Sequence, residues 1–133
     1  MILEKLQADA RFILIGSRRF GANTPDSDWD FSAQYSEELM EYLKGLGLKE
    51  VELYKYDNQC IRVMSYHGSE KIHVILHKNE ALVRAVWNNM SAVFYKNVIN
   101  KRSDDNKYLS RSAYNEKVTA LFNGLYEDYR DIF

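Results

Sequence analysis

The spacing of hydrophobic residues divides the chain into segments of strand and helix. In the first half, short apolar runs and alternating patterns predict strands over residues 12–15, 28–35, 51–54, 60–66 and 71–77. Helical spacing of apolar residues predicts a short helix within residues 1–10. A second helix is expected to follow Ser36, which fits an N-cap, and to end at Gly45 or Gly47.

From Glu80 onward the apolar residues recur every three or four positions. This spacing predicts a helix of about five turns that reaches Val98. Residues 101–112 are polar and charged, which predicts a connection. The last helix is predicted from a stripe of Val118, Leu121, Phe122, Leu125, Tyr126 and Tyr129. This order of elements predicts an α+β domain, a mixed sheet backed by helices.

Strand alternation assigns side chains to faces of the sheet. On the second strand, one face is predicted to carry Asp28, Asp30, Ser32 and Gln34, and the core face Trp29, Phe31, Ala33 and Tyr35. On the last strand, one face carries Ile72, Val74 and Leu76, and the other Lys71, His73, Ile75 and His77. His67 and His77 have no arrangement that favours a metal, so both are expected at the surface.

Two short motifs carry chemistry. Asp28 and Asp30 share a strand face, where two carboxylates can hold a divalent cation, and Asp30 lies in a run of residues that otherwise favour strands. The turn Gly16-Ser17 follows an apolar strand and can offer backbone N–H groups and a hydroxyl to a phosphate. Together they indicate metal-assisted phosphate chemistry.

Gly16-Ser17, then Gly21, then Ser27-Asp28-Trp29-Asp30 resembles the nucleotidyltransferase signature of the DNA polymerase β superfamily. That signature is a Gly-Ser, a gap of about ten residues and an Asp-x-Asp on the next strand; here Ser17 and Asp28 are eleven positions apart. The chain length is similar to that of the small single-domain nucleotidyltransferases of bacteria and their phages. The specific match covers residues 12–35, and the remainder agrees only in the order of its elements.

The resemblance implies a polymerase β-like nucleotidyltransferase fold with a C-terminal helical pair. At 133 residues a single domain is expected, with a catalytic sheet core over 1–79 and helices over 80–133. The implied reaction transfers a nucleoside monophosphate from a nucleoside triphosphate to a hydroxyl of a protein, an RNA or a small molecule. Two divalent metal ions, Mg²⁺ or Mn²⁺, would be held by Asp28 and Asp30. The implied phosphate-binding residues are Gly16, Ser17, Arg18, Arg19 and Ser27, with Arg62 and Lys71 as alternative contacts for the pyrophosphate.

His73 departs from the family pattern. Related enzymes carry a third carboxylate at this position, whereas this chain reads Ile72-His73-Val74. Three interpretations stay open: a polar residue that faces the cleft, a neutral imidazole that ligates a metal, or a general base. Glu70, in the preceding turn, is an alternative source of the missing acid.

Composition excludes several other classes. The net charge of −1 and the pI of about 6.3 give no global basic field to attract nucleic acid. Because Cys60 is the single cysteine, an internal disulfide and a cysteine zinc cluster are excluded, and a buried thiol in a reducing compartment is expected. The start of the chain shows no signal peptide, and no apolar run is long enough to cross a bilayer. The expected location is the cytoplasm.

Two other functions fit the same sequence. A catalytically degenerate member of the fold would bind a nucleotide or a protein without turnover. Alternatively, an interaction protein of a toxin–antitoxin or phage–host pair would use the C-terminal helices to hold a protein partner. Divalent-dependent triphosphate binding separates the first from the second, and pyrophosphate release separates both from the enzyme.

Overall fold

The computed structural model describes residues 1–52, 57–90 and 111–132. It is an α+β fold whose mixed five-stranded sheet has the order β1-β2-β5-β4-β3. The strands are β1 (Ile13–Ile15), β2 (Trp29–Gln34), β3 (Lys49–Val51), β4 (Cys60–His67) and β5 (Lys71–His77). β2 and β5 run parallel, and the other three neighbouring pairs are antiparallel. The predicted mixed sheet backed by helices is confirmed.

Five α-helices accompany the sheet in the described part of the chain: α1 (Ile2–Ala8), α2 (Ser17–Phe20), α3 (Glu37–Leu46), α4 (Glu80–Asn89) and α5 (Arg111–Tyr129). A short 3₁₀ turn, Arg130–Ile132, follows α5. Ser36 caps α3 as predicted, because its Oγ accepts a hydrogen bond from the N–H of Leu39. Gly47, with φ +105°, ends that helix.

Some elements differ from the predictions. The single turn of α2 occupies a segment that the sequence predicts as a loose connection; Gly21, with φ +74°, ends it in the left-handed conformation. β2 begins at Trp29, so Asp28 immediately precedes the strand. The predicted continuation of α4 to Val98 and residues 101–110 of the predicted connection lie outside the described residues, as does Leu53. Residues 111–112, predicted as connection, are helical.

Helices cover both faces of the sheet. The first layer packs α1 and α3 against the strand residues that alternation assigns to one face, and its members include Leu6, Leu43, Phe31, Ala33, Met64, Ile72, Val74 and Leu76. The second layer packs α4 and α5 against the other face through Val63, Ile75, Leu82, Val83, Val86, Trp87, Val118, Phe122 and Tyr126. The alternation predicted for β5 is confirmed, since Val74 and Ile75 belong to different layers.

The stripe of α5 belongs to the second layer. Phe122 and Tyr126 are buried, and Leu121 and Leu125 are half-buried against the same cluster. The Trp87 ring lies between Phe20 and Phe122, with centroids 5.8 and 5.0 Å away. The prediction that this stripe packs on the domain is confirmed. Cys60 is buried, as predicted, and no helix within the described ranges has the length and apolarity to cross a membrane.

Candidate metal centre

Three potential metal ligands meet where β2 and β5 begin. Asp28 precedes β2, and the parallel register places Asp30 of β2 beside His73 of β5. One ligand atom from each of the three side chains lies within 4.8 Å of the others. Within the described ranges, Asp28, Asp30 and His73 form the one group of three carboxylate or histidine side chains that are close enough to share an ion. Alternation predicts Asp28 and Asp30 on one face, which agrees with this arrangement, and the parallel pairing of β2 with β5 brings His73 beside them.

The imidazole of His73 faces both carboxylates. Its Nδ1 lies 3.2 Å from Oδ2 of Asp28 and 3.4 Å from Oδ1 of Asp30. Nδ1 is buried and neither oxygen meets it with the geometry of a hydrogen bond, so the contact is an ion-pair approach. The side chains of Asp28, Asp30 and His73 are 39%, 24% and 12% exposed, so the group opens to solvent on the side of the carboxylates.

The two carboxylates determine the protonation state of the imidazole. Asp28 foremost, and Asp30 after it, raise the pKa of His73 to about 9, against the opposing effect of burial. In return His73 lowers the pKa of Asp28, to which the charges of Lys71 and His67 contribute less. At neutral pH the imidazole of His73 in the metal-free protein is therefore protonated. Its positive charge lies beside the carboxylates of Asp28 and Asp30.

Gly16 packs directly on this group. Its φ of +77° lies in the left-handed region, and a Cβ added there would come within 2.5 Å of Oδ2 of Asp30. The contact arises because β1 pairs antiparallel with β2, which places Ile15 opposite Asp30. The residue predicted from sequence to cradle a phosphate therefore adjoins a predicted metal ligand.

The two predicted serines have different surroundings. Ser17 is the first residue of α2 and directly follows Gly16. The N–H of Arg19 already donates to the carbonyl of Gly16, so the backbone donors that this turn can offer are the N–H groups of Ser17 and Arg18. Ser27 is used within the loop, because its Oγ accepts a hydrogen bond of 2.8 Å from the N–H of Thr24.

The two predicted arginines contact the protein. Arg18 donates hydrogen bonds to the carbonyls of Ser27 and Pro25, and its guanidinium lies 4.2 Å from the ring centroid of Trp29. Arg19 donates to the carbonyl of Leu14 and to the side chain of Asn88. Burial lowers the pKa of Arg19. Both side chains brace the segment between β1 and β2.

Arg62, Glu70 and Lys71 are the alternative site residues predicted from the sequence, and the structure gives these three side chains different surroundings. Arg62 pairs with Glu50 at 3.3 Å and stands opposite Leu76, three positions along β5 from His73. Glu70 accepts a hydrogen bond of 3.2 Å from Nε1 of Trp29, so its carboxylate is engaged away from the ligand group. Lys71 is the alternative whose charge acts on Asp28.

A second histidine–carboxylate group lies along the same face of β5, and the expectation that His77 is a surface residue is wrong. His77 is 1% exposed, and its Nδ1 shares a hydrogen bond of 2.7 Å with Oγ of Ser32. Its Nε2 lies 3.6 Å from Oδ2 of Asp57, which accepts a hydrogen bond from the hydroxyl of Tyr126. Burial foremost, and then Asp57, raise the pKa of Tyr126, so its hydroxyl remains a donor. The one signal in the sequence is that His77 alternates in phase with the apolar Ile75.

No protein-family model, curated protein or solved structure matches the chain. The case for a function therefore depends on the sequence signature and on the geometry of Asp28, Asp30, His73 and the turn at Gly16.

Proposed function

We propose that this protein is a nucleotidyltransferase. It transfers a nucleoside monophosphate from a nucleoside triphosphate to an acceptor hydroxyl and releases pyrophosphate. The observation that carries the proposal is the contact between the Gly16-Ser17 turn and the carboxylate of Asp30. A turn suited to phosphate and a pair of carboxylates suited to a divalent cation adjoin each other, which is the juxtaposition that metal-assisted phosphoryl chemistry requires.

The residues of the group fit a divalent cation. Asp28 and Asp30 supply two hard oxygen ligands, and the buried Nδ1 of His73 has no hydrogen-bond partner. A bound divalent cation would neutralise charge on the oxygens of the α-phosphate and on the leaving group. Mg²⁺ and Mn²⁺ both suit this role.

The side chains around the cation have distinct tasks in this proposal. Asp28 and Asp30 would hold the cation, which would orient the α-phosphate. The backbone N–H groups at the start of α2 and the hydroxyl of Ser17 bind the terminal phosphates. Lys71 is the basic side chain we assign to the triphosphate, because its charge reaches Asp28 whereas Arg62 pairs with Glu50. Arg18 and Arg19 act indirectly by bracing the loop.

The test is pyrophosphate release from each of the four ribonucleoside triphosphates with Mg²⁺ or Mn²⁺, in reactions that also contain protein, RNA and small-molecule sources of the acceptor hydroxyl. We expect release by the wild type, loss with Asp28→Asn and with Asp30→Asn, and normal release with Asp26→Asn. Asp26 is a matched control because it is an exposed acid of the same loop. Release that survives either ligand substitution would contradict the proposal, as would its absence from the wild type with every triphosphate and both metals.

One observation favours a second candidate, a protein that binds a nucleotide without turnover. The position that carries a carboxylate in the enzymes this chain resembles is occupied by His73, which at neutral pH holds a positive charge between the two acids. Divalent-dependent triphosphate binding without pyrophosphate release would identify this case. The alternative of a C-terminal interaction arm is not favoured, because Val118, Phe122 and Tyr126 are buried against the sheet.

A further inference from the structure

We infer that Nδ1 of His73 is itself a ligand of the cation held by Asp28 and Asp30, and that the site therefore selects a first-row transition cation such as Mn²⁺ over Mg²⁺. The use of that cation in catalysis rests on the proposed function, but its binding does not.

The spacing of the three ligand atoms supports a shared ion. Ligands bound about 2.0–2.1 Å from one cation lie roughly 3.0 Å apart at right angles and roughly 3.4 Å apart in a tetrahedron. Nδ1 of His73 is 3.2 Å from the Asp28 oxygen and 3.4 Å from the Asp30 oxygen. These separations match neighbouring positions around a single ion without movement of the backbone.

The state of Nδ1 provides an independent reason. Buried polar atoms in proteins nearly always have a hydrogen-bond partner, yet the two carboxylate oxygens within ion-pair distance of the buried Nδ1 of His73 do not meet it in hydrogen-bond geometry. Its side chain is only 12% exposed, so solvent does not supply the partner. A cation between the two carboxylates would satisfy this nitrogen and both acids together.

The same geometry separates the ligand role from that of a general base. A general base must come within hydrogen-bond reach of the proton it takes from the substrate. Nδ1 of His73 is buried and faces Asp28 and Asp30, which leaves no approach for an acceptor hydroxyl to this atom. Nδ1 therefore faces the position of the cation and not that of the nucleophile.

An imidazole ligand changes the preference among cations. Mg²⁺ favours oxygen ligands and retains its waters, whereas first-row transition cations accept nitrogen ligands more readily. Binding through Nδ1 displaces the proton that this imidazole carries at neutral pH. Two carboxylates and one neutral imidazole carry one negative charge fewer than three carboxylates, which weakens the binding of both cations, whereas the nitrogen ligand favours Mn²⁺ over Mg²⁺.

The first experiment titrates Mn²⁺ into the full-length, nucleotide-free protein and follows the loss of the free-ion electron paramagnetic resonance signal, with Mg²⁺ as a competitor. We expect Mn²⁺ to bind about tenfold or more tightly than Mg²⁺. His73→Ala should weaken Mn²⁺ binding by about tenfold or more and Mg²⁺ binding much less, and His73→Asp should move the preference toward Mg²⁺.

His67→Ala is the matched control, because the exposed His67 ring lies 5.8 Å from that of His73 on the neighbouring strand. It should leave Mn²⁺ binding unchanged. Equal weakening by His67→Ala and His73→Ala, or no weakening by His73→Ala, would overturn the assignment.

The second experiment is made on the wild type, so its result does not depend on whether His73→Ala folds. Electron spin echo modulation of Mn²⁺ bound to the wild type should show coupling to a ¹⁴N nucleus of a ligand imidazole, and His67→Ala should retain it. Bound Mn²⁺ without nitrogen coupling, or no Mn²⁺ binding at millimolar concentration, would overturn the inference. Nitrogen coupling without pyrophosphate release would leave the ligand assignment intact and refute the enzyme. Pyrophosphate release that is unchanged by His73→Ala would refute the ligand assignment and leave the proposed enzyme activity intact.

Discussion

Two histidines of β5, His73 and His77, lie four residues apart on the same face of the sheet, and each lies beside a carboxylate. Their surroundings differ. His73 lies where the strand begins, beside acids that are 39% and 24% exposed, and its Nδ1 has no hydrogen-bond partner. His77 lies where the strand ends, 1% exposed and hydrogen-bonded through Nδ1 to Ser32.

The difference arises from what covers the sheet. Tyr126 of α5 reaches over the end of β5 and donates to Asp57, which closes the group around His77. The beginning of β5 is next to the Gly16 turn, which packs on Asp30 without covering the acids from solvent. The same pair of residue types therefore occurs in two settings. The covered group holds parts of the fold together, whereas the open group leaves its two carboxylates accessible to solvent.

The largest expected effect distinguishes the two histidines by stability. His77→Ala removes the hydrogen-bond partner of the Ser32 hydroxyl. It also leaves the buried Asp57 carboxylate without the imidazole that lies beside it. We expect a loss of about 3–5 kcal/mol in the free energy of unfolding. His73→Ala, in the open group, should cost less, about 1–2 kcal/mol, because solvent screens the acids beside it, which are 39% and 24% exposed. Urea unfolding of both variants measures the difference, and equal losses would refute the assignment of a structural role to His77 alone.

Gly16→Ala tests the open group without changing a ligand. The positive φ should cost about 1–3 kcal/mol, and the added Cβ should displace the Asp30 carboxylate and weaken Mn²⁺ binding by about tenfold or more. Gly45→Ala is the control: Gly45 lies inside α3 with no heavy atom within 4 Å of the added Cβ, so a gain of about 0.5–1 kcal/mol is expected. Unchanged Mn²⁺ affinity in Gly16→Ala would show that the turn does not position Asp30.

Tyr126→Phe tests the covered group by removing one hydrogen bond and retaining the ring. Loss of the donor to the buried Asp57 should cost about 1–2 kcal/mol. Tyr42→Phe, at an exposed tyrosine of α3, should cost nothing measurable. Chemical denaturation of both variants provides the comparison. A Tyr126→Phe protein as stable as the wild type would show that the hydroxyl does not hold α5 to the sheet.

The smallest effect is the pH dependence of the metal-free protein. The pKa of His73 is about 9 when folded, against 6.5 for an ordinary histidine. The stabilisation from its protonated form is therefore complete below pH 6.5 and is lost as the pH rises through 9. Thermal unfolding in the presence of a chelator should show wild-type stability falling over this interval, and His73→Ala should lack that component. Parallel profiles would contradict the ion-pair arrangement.

How far the sequence could predict this arrangement depends on the range of the contacts. Alternation was enough to place Asp28 and Asp30 on one face of β2, and His73 on the face of β5 opposite Val74, because strand periodicity is local. That these two faces coincide depends on the pairing of β2 with β5. The burial of His77 was not predictable in this way. It depends on the contact between Asp57 and Tyr126, which are 69 residues apart, and on helices that cover both faces of the sheet. The contact between Gly16 and Asp30 likewise required the pairing of β1 with β2.

The most direct test of the central claim is calorimetric titration of nucleoside triphosphates into the full-length protein, with and without Mg²⁺ or Mn²⁺. We compare the wild type with the variant that carries Asp28→Asn and Asp30→Asn. We predict divalent-dependent binding by the wild type only. At a free triphosphate concentration one hundred times Kd, this binding should stabilise the native state by about 2.7 kcal/mol. The double variant should stay folded and lose the divalent-dependent part. Equal triphosphate binding by the two proteins, or binding that ignores the cation, would contradict the account.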